Sequence, residues 1–212
     1  MQIAILLYEG FTALDAIGPY QTLNPLPEAE LSFVAEQAGP LTDDNGTLTV
    51  TPHKTLAEVT RPDIVVVPGG PPENVERQMA NPVVLDWLRA ADATSTWTTS
   101  VCTGALLLAK AGLLKGRRAT SHWLSLDTVK EFGVEPTGER VVFDGKYVTA
   151  AGVSSGIDMG LTLAGKIAGD QYAQGIQLMI EYDPQPPYDA GSPEKAPAEL
   201  VEFFRNGGAA QS

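Results

Sequence analysis

Asp63-Ile64-Val65-Val66-Val67-Pro68-Gly69-Gly70 is the clearest buried strand in the chain. Its aliphatic run has no polar alternation. That suits a strand covered on both faces in a parallel sheet, and the glycines that follow turn the chain at its end. The pattern recurs on either side. Residues 2–8 are continuously apolar after Gln2, residues 31–36 read as a second strand, and residues 95–101 are β-prone and run straight into Cys102. Helical stretches separate these strands. Residues 82–91 open with Pro82 in the first turn and carry Val84, Leu85, Leu88 and Ala91 at helical spacing. Residues 104–114, 124–132, 157–168 and 171–182 are also expected to be helical, and 119–121 forms a short strand.

Smaller signals fill the gaps. Residues 11–23 have apolar positions at helical spacing, but Gly18-Pro19 interrupts them, which predicts a short helix or turn and then a second helical piece. Asp43-Asp44-Asn45-Gly46 before the alternating 47–51 predicts a hairpin, as does Asp144-Gly145 between 141–143 and 147–150. The segment 152–158 reads as a loop in which Ser154 or Ser155 caps the next helix. Prolines in 183–193 exclude helix and favour an extended path that packs on the body or on a partner subunit. A last helix is expected over 198–205, with 207–212 frayed.

Strands alternating with helices make an α/β fold: a parallel sheet sandwiched by helices, as one domain over 1–212 with a Pro-rich extension from about residue 183. Ligands in such sheets bind beyond the carboxyl ends of the strands. Three pieces fall there: Asp15, Gly69-Gly70 and Cys102.

Composition narrows the classes. Of 212 residues, 43% are hydrophobic and 19% charged, enough apolar material for a real core. The net charge of −12 argues against nucleic-acid binding, which needs clustered Lys and Arg, and against docking on an anionic membrane. No apolar stretch is long enough to span a bilayer, and Glu9 interrupts the N-terminal run too early for a secretory signal. The single cysteine forms no internal disulfide, which fits a reducing compartment, so the cytoplasm is the expectation.

Cys102 sits where a strand hands over to a helix, in Thr99-Ser100-Val101-Cys102-Thr103-Gly104-Ala105-Leu106. A sharp turn there lifts the side chain clear of the sheet, as in a nucleophile elbow, and Gly104 leaves room for it. The helix N-terminus is expected to favour thiolate and lower the thiol pKa. Backbone N–H groups of Thr103 and Gly70 are candidates to hold a developing negative charge. A buried, inert thiol is the competing reading. Asp15, among apolar neighbours, is either a desolvated proton donor or a simple turn acid. His122 either orients or deprotonates Cys102, or is a structural histidine in the wall of the site; His53 reads as surface. One cysteine and two histidines offer no zinc spacing. Gly69-Gly70 is not a phosphate loop.

Taken together, Pro68-Gly69-Gly70, Val101-Cys102-Thr103-Gly104-Ala105, Ala119-Thr120-Ser121-His122-Trp123 and Ala150–Asp158 resemble the ThiJ/PfpI superfamily, over Met1 to about Tyr182. The resemblance implies a flavodoxin-like sheet of the class I glutamine amidotransferase type. Leu14-Asp15-Ala16-Ile17-Gly18-Pro19 and the segment from Gln177 to Pro193 are similar, more narrowly, to the isonitrile hydratases. That likeness implies hydration of an isonitrile to an N-substituted formamide, with Cys102 and Asp15 catalytic, Thr103 beside them, no metal or cofactor, and a homodimer. In that reaction Asp15 protonates the isonitrile carbon, the Cys102 thiolate attacks it to give a thioimidate, and Asp15 then activates water. Ile17, Gly18 and Trp123 are candidate walls of an apolar pocket, with Gly70 as a backbone donor. The rivals are a glyoxalase- or deglycase-like activity, for which the superfamily's usual glutamate in place of Asp15 counts against this chain, and a cysteine redox sensor that turns nothing over. Regulators sharing the domain append a helix-turn-helix module, which is not expected in this chain of 212 residues. Glutaminase activity needs a late histidine, and His122 is the last one.

Overall fold

A computed structural model describes residues 1–208; residues 209–212, part of the stretch expected to fray, lie outside the described residues. Strand β1 (Gln2–Leu6) leads to helix α1 (Ala13–Leu23) and strand β2 (Glu30–Ala35). Strands β3 (Leu41–Thr42) and β4 (Thr49–Val50) form the first expected hairpin, followed by β5 (Lys54–Thr55) and β6 (Ile64–Val67). Helices α2 (Pro72–Met79) and α3 (Pro82–Asp92), strand β7 (Trp97–Val101) and helix α4 (Gly104–Lys110) follow. Next come β8 (Arg118–Ala119), a 3-10 turn at Trp123–Ser125, α5 (Leu126–Lys130) and β9 (Glu135–Pro136). The second hairpin, β10 (Val141–Asp144) and β11 (Tyr147–Ala150), precedes α6 (Ser155–Ala168) and α7 (Asp170–Met179).

One seven-stranded sheet runs in the order β10-β11-β7-β6-β1-β2-β5, with only β10 antiparallel to its neighbour. Strands β1 and β6 are its centre, and Ile3, Ile5, Ile64 and Val66 are fully buried there. Each such side chain removed from water contributes roughly 1.5–3 kcal/mol. Because β1 pairs with β2 on one side and β6 on the other, the chain switches direction between β1 and β6. A crevice opens at their carboxyl ends, the place such sheets reserve for ligands.

Local chemistry explains the elements. Asp43 builds the first hairpin turn by accepting the N–H groups of Thr47 and Leu48, both at 3.0 Å. Asn81 caps α3, its side chain accepting the Val83 N–H at 3.0 Å. Several expectations need correction. Helix α1 is continuous through Pro19. The Thr22 hydroxyl donates to the carbonyls of Gly18 and Pro19 at 3.0 and 3.2 Å, and α6 covers this stretch with its small residues Gly156 and Gly160. Tertiary packing thus outweighs the breaking tendency of proline. Helix α2 has no counterpart in the sequence reading; only Val75 and Gln78 of its residues are buried, so its apolar periodicity is faint. Helix α4 stops at Lys110, where Ala111 and Gly112 donate to the carbonyls of Leu107 and Ala109. Strand β8 is outside the main sheet and pairs with β9. Neither Ser154 nor Ser155 caps α6 with its side chain: Ser154 Oγ accepts from Arg140, and Ser155 Oγ is buried without a partner.

Residues 181–208 form a separate compact unit, with helix α8 (Ala198–Arg205) where a last helix was expected. Among the described residues, no helix is long and apolar enough to cross a membrane.

The α1–α6 contact sets a stability prediction. A Cβ at Gly160 would lie 1.8 Å from Thr22 Oγ1. Gly160→Ala is expected to lower stability by about 1–3 kcal/mol despite alanine's better helix propensity, and adding Thr22→Ala should recover only part of the loss, because the Thr22 Cβ would still lie 2.8 Å away. Thermal unfolding of the two proteins checks this.

Candidate active site

The three pieces expected at strand ends do meet. Strand β7 delivers Cys102 to the crevice in the left-handed backbone region, at φ 58°. For a residue other than glycine this conformation costs about 1–2 kcal/mol. Neighbouring backbone holds it. The Cys102 N–H donates to the carbonyls of Ala150, the last residue of β11, and Ala151 at 3.1 and 2.8 Å, and the Cys102 carbonyl accepts the Ser121 hydroxyl at 2.9 Å. The next residue but one must be small: a Cβ at Gly104 would fall 2.1 Å from the Val67 carbonyl oxygen. Cys102 is 6% exposed, and its side chain faces that of Asp15.

Asp15 lies in the first turn of α1 and is completely buried. Its carboxylate crosses to the end of β6, where Oδ2 accepts the Gly69 N–H at 2.8 Å. Its Oδ1 is buried with no hydrogen bond of its own. A side chain at position 69 would block this approach, since a Cβ there would sit 2.3 Å from Thr103 Oγ1 and 3.0 Å from Asp15 Oδ2. Burial raises Asp15 from an ordinary 3.8 to about 7, with the Gly69 N–H and the nearby Cys102 thiol lowering it in part and Asp44 raising it.

Cys102 differs from expectation. Burial above all, then the Asp15 charge, push its thiol up from 9.0 to about 12, against the N–H groups of Val153 and Thr103 and the Thr103 side chain. The resting sulfur is therefore a thiol, not the thiolate expected from a helix N-terminus. Helix α4 has only seven residues, and a dipole worth at most ~2 kcal/mol does not offset desolvation of a buried anion.

The backbone donors also differ. The Thr103 hydroxyl clasps Gly70 from both sides, accepting its N–H and donating to its carbonyl, each at 2.9 Å. The Gly70 N–H is thus committed, and the groups that stabilise charge on the sulfur are the N–H groups of Thr103 and Val153. The reading of the sequence missed Val153; its signal was its place just past the end of β11, a fourth strand end beside the other three. It missed Tyr8 as well, a buried residue just past β1 whose hydroxyl donates to the Pro68 carbonyl at 3.0 Å.

The remaining candidates form a periphery. His122 accepts the Leu124 N–H through Nδ1 at 3.4 Å, capping the 3-10 turn, and burial lowers its pKa. Its ring packs on Gly152, where a Cβ would lie 2.9 Å from Cδ2. With Nδ1 accepting, the neutral ring carries its proton on Nε2. Trp123 is half-buried beside His122, with ring centroids 5.9 Å apart. Ile17 is half-buried, and Gly18 is buried against Ile157 of α6. His53 is exposed and stacks on Phe33. Among the described residues, no group of three or more His, Cys, Asp or Glu side chains is placed to hold a metal ion. A groove of about 720 Å³ lined by Gln21, Pro25, Tyr172, Ile176 and Met179 contains none of these site residues.

A buried cysteine on a strand–helix elbow, faced by a carboxyl group from the end of the first strand, defines a class of α/β proteins with a thiol–carboxyl pair at the switch point of a parallel sheet. The chain belongs to the DJ-1/PfpI family, whose profile matches residues 1–166. It is 40% identical over 205 residues to an isonitrile hydratase from Pseudomonas putida, covering 97% of this chain and 89% of that protein. It is 32% identical over 177 residues to an HTH-type transcriptional regulator from Pseudomonas aeruginosa, covering 79% of this chain and 51% of the regulator. A crystal structure of a ThiJ/PfpI family protein from Pseudomonas syringae superposes with a TM-score of 0.93 at 38% identity, covering 97% of this chain and 84% of that one.

The raised Asp15 pKa has a consequence for stability. Between 3.8 and about 7 the folded protein holds a proton on Asp15 that the unfolded chain has released, so stability falls as pH rises through this window. Above it the full cost, on the order of 4 kcal/mol, is present. Asp15→Asn, which keeps an oxygen for the Gly69 N–H, is expected to unfold at higher temperature than the parent at pH 8. That advantage should shrink toward pH 5 in paired calorimetric scans.

Proposed function

We propose that this site hydrates isonitriles, R–N≡C, to N-substituted formamides, with Cys102 as nucleophile and Asp15 as the acid–base group. The observation that carries the reading is the completely buried Asp15 carboxyl, held by the Gly69 N–H at 2.8 Å and facing the buried Cys102 thiol, with burial raising the pKa of both groups. The similarity to the Pseudomonas putida isonitrile hydratase over 97% of the chain supports it.

The chemistry needs this pairing because the terminal isonitrile carbon must receive both a nucleophile and a proton. In the resting pair the sulfur holds a proton and Asp15 is ionised. Asp15 takes the thiol proton and delivers it to the isonitrile carbon as the sulfur bonds to that same carbon, giving the thioimidate R–N=CH–S–Cys102. Asp15, ionised again, removes a proton from water as the hydroxide oxygen adds to the carbon, and the nitrogen gains a proton. The tetrahedral species collapses to R–NH–CHO, the carbon–sulfur bond breaks, and the sulfur recovers its proton. The net change is the addition of one water. Charge that develops on sulfur meets the N–H groups of Thr103 and Val153. Thr103 also keeps Gly70, and with it the end of β6, in place through its two-way clasp.

A thiolate facing a carboxylic acid and a thiol facing a carboxylate carry the same number of protons. The pH profile therefore belongs to the pair. It is expected to rise through pH about 7 as Asp15 ionises and to stay level well beyond pH 9, because the thiol lies near 12.

Formation of N-cyclohexylformamide from cyclohexyl isocyanide, followed by the formyl proton in NMR, tests the reading. Cys102→Ala and Asp15→Asn should each lower kcat/KM by at least ~10³-fold. Thr103→Val, which removes the clasp, should lower it by about 10–100-fold. Wild-type turnover in Cys102→Ala protein, or consumption of methylglyoxal with the isocyanide untouched, would overturn the proposal.

A further inference from the structure

Tyr8 and Asp15 never touch in the hydrogen-bond network, yet one amide joins them. The Tyr8 hydroxyl donates to the carbonyl oxygen of Pro68 at 3.0 Å. The N–H of Gly69 donates to Asp15 Oδ2 at 2.8 Å. That carbonyl and that N–H are the two ends of a single peptide group. A donor on its oxygen draws electron density away from its nitrogen, which makes the N–H a stronger donor to whatever it faces. The bonds therefore run in one direction: phenol O–H to carbonyl, then amide N–H to carboxylate.

The surroundings favour transmission over leakage. Tyr8 is 5% exposed and Asp15 fully buried, so bulk water does not screen the chain of bonds. Tyr8 is also packed in place, since a Cβ on Gly70 would fall 3.4 Å from its hydroxyl oxygen. Its hydroxyl is already committed to Pro68 and its own ionisation is pushed far up, chiefly by burial and then by the Asp15 and Cys102 charges, so it does not itself exchange protons with substrate.

We propose that Tyr8 is a positioning residue which, through the Pro68–Gly69 amide, strengthens the hydrogen bond to Asp15 and so favours its ionised form. The proposal takes the acid–base role of Asp15 from the reading above, but its test does not need turnover. The titratable groups that face Asp15 are Cys102 at the start of α4, Asp44 in the β3–β4 turn, and Tyr8 itself. Asp44 opposes ionisation of Asp15 and is itself held by the Thr12 hydroxyl at 2.6 Å, an arrangement that substitution at Tyr8 leaves intact.

The experiment is a carbon-13 NMR titration of the full-length protein labelled at aspartate carboxyls, with the Asp15 signal assigned by its loss in Asp15→Asn. Tyr8→Phe keeps the ring and deletes the donor. Losing ~10–30% of one charge-assisted hydrogen bond should move the Asp15 midpoint upward by roughly 0.1–0.7 pH unit. Installing 3-fluorotyrosine at position 8, a more acidic phenol and a stronger donor, should move it downward. Opposite displacements are the signature, because a merely structural role for Tyr8 has no reason to give them. If Tyr8→Phe does not fold, the direction seen with 3-fluorotyrosine decides alone. Unchanged midpoints, or displacements in the same direction, overturn the inference. In wild-type-like folds the rising limb of the isocyanide-hydration profile should follow the same displacements. Absence of isonitrile turnover, with opposite NMR displacements, would remove the proposed function and leave the role of Tyr8 standing.

Discussion

Asp15 and Cys102 are two acids buried face to face, and the site is organised around the single negative charge they can hold between them. Desolvation raises both; the Asp15 charge raises the thiol further, while the thiol's hydrogen bond lowers Asp15 in part. What decides where the charge rests is the supply of backbone donors. Asp15 has the Gly69 N–H at 2.8 Å, while the sulfur has N–H groups from Thr103 and Val153. A carboxylate is the weaker base by several orders of magnitude, so the charge rests there and the proton on sulfur. Movement of the charge to sulfur still finds donors waiting, which lowers the cost of transfer without making the thiolate the resting state.

The fold serves that pair by bringing several strand ends to one point. Strand β1 leads to Asp15 and Tyr8, β6 to Pro68, Gly69 and Gly70, β7 to Cys102 and Thr103, and β11 to Ala150, Ala151 and Val153. The last of these is a structural brace for the third. Cys102 stays at a positive φ because its N–H is taken by the carbonyls of Ala150 and Ala151 at the end of β11, which the β10–β11 hairpin places in register with β7. Strain of about 1–2 kcal/mol at one residue is small beside the buried aliphatic content of β1 and β6. The main sheet can therefore hold the cysteine in a conformation that the local sequence does not favour.

Much of this was legible in the residues. Unbroken runs such as Ile64-Val65-Val66-Val67 have one good explanation, a strand covered on both faces, and the rule for strand ends then selected Asp15, Gly69-Gly70 and Cys102. Other features depend on long-range packing. Helix α1 continues past Pro19 because α6 lies against it, and no local signal announces that. Helix α2 buries too few side chains to show a period. The state of Cys102 misled for a physical reason: a helix N-terminus is visible in sequence, whereas the depth of burial that outweighs it is not. Backbone donors such as Val153 are invisible to side-chain reasoning, because any residue offers the same N–H.

The large gap between a carboxyl near 7 and a thiol near 12 bears on the proposed chemistry. An enzyme that resolves an acyl group commonly benefits from a preformed thiolate, since its substrate carbon is already electrophilic. An isonitrile carbon carries a lone pair and resists an anion until it is protonated. A free thiolate there would hold charge with no proton at hand, and a neutral acid alone would lack a nucleophile. A thiol beside a carboxylate stores both in one neutral-plus-anionic unit: the proton the carbon must receive is the one the sulfur must lose. Asp15 need only carry it across, which its titration near neutrality allows in either direction. Burial that keeps the thiol protonated is, for the proposed reaction, an advantage, because the carbon under attack needs both halves of the S–H bond.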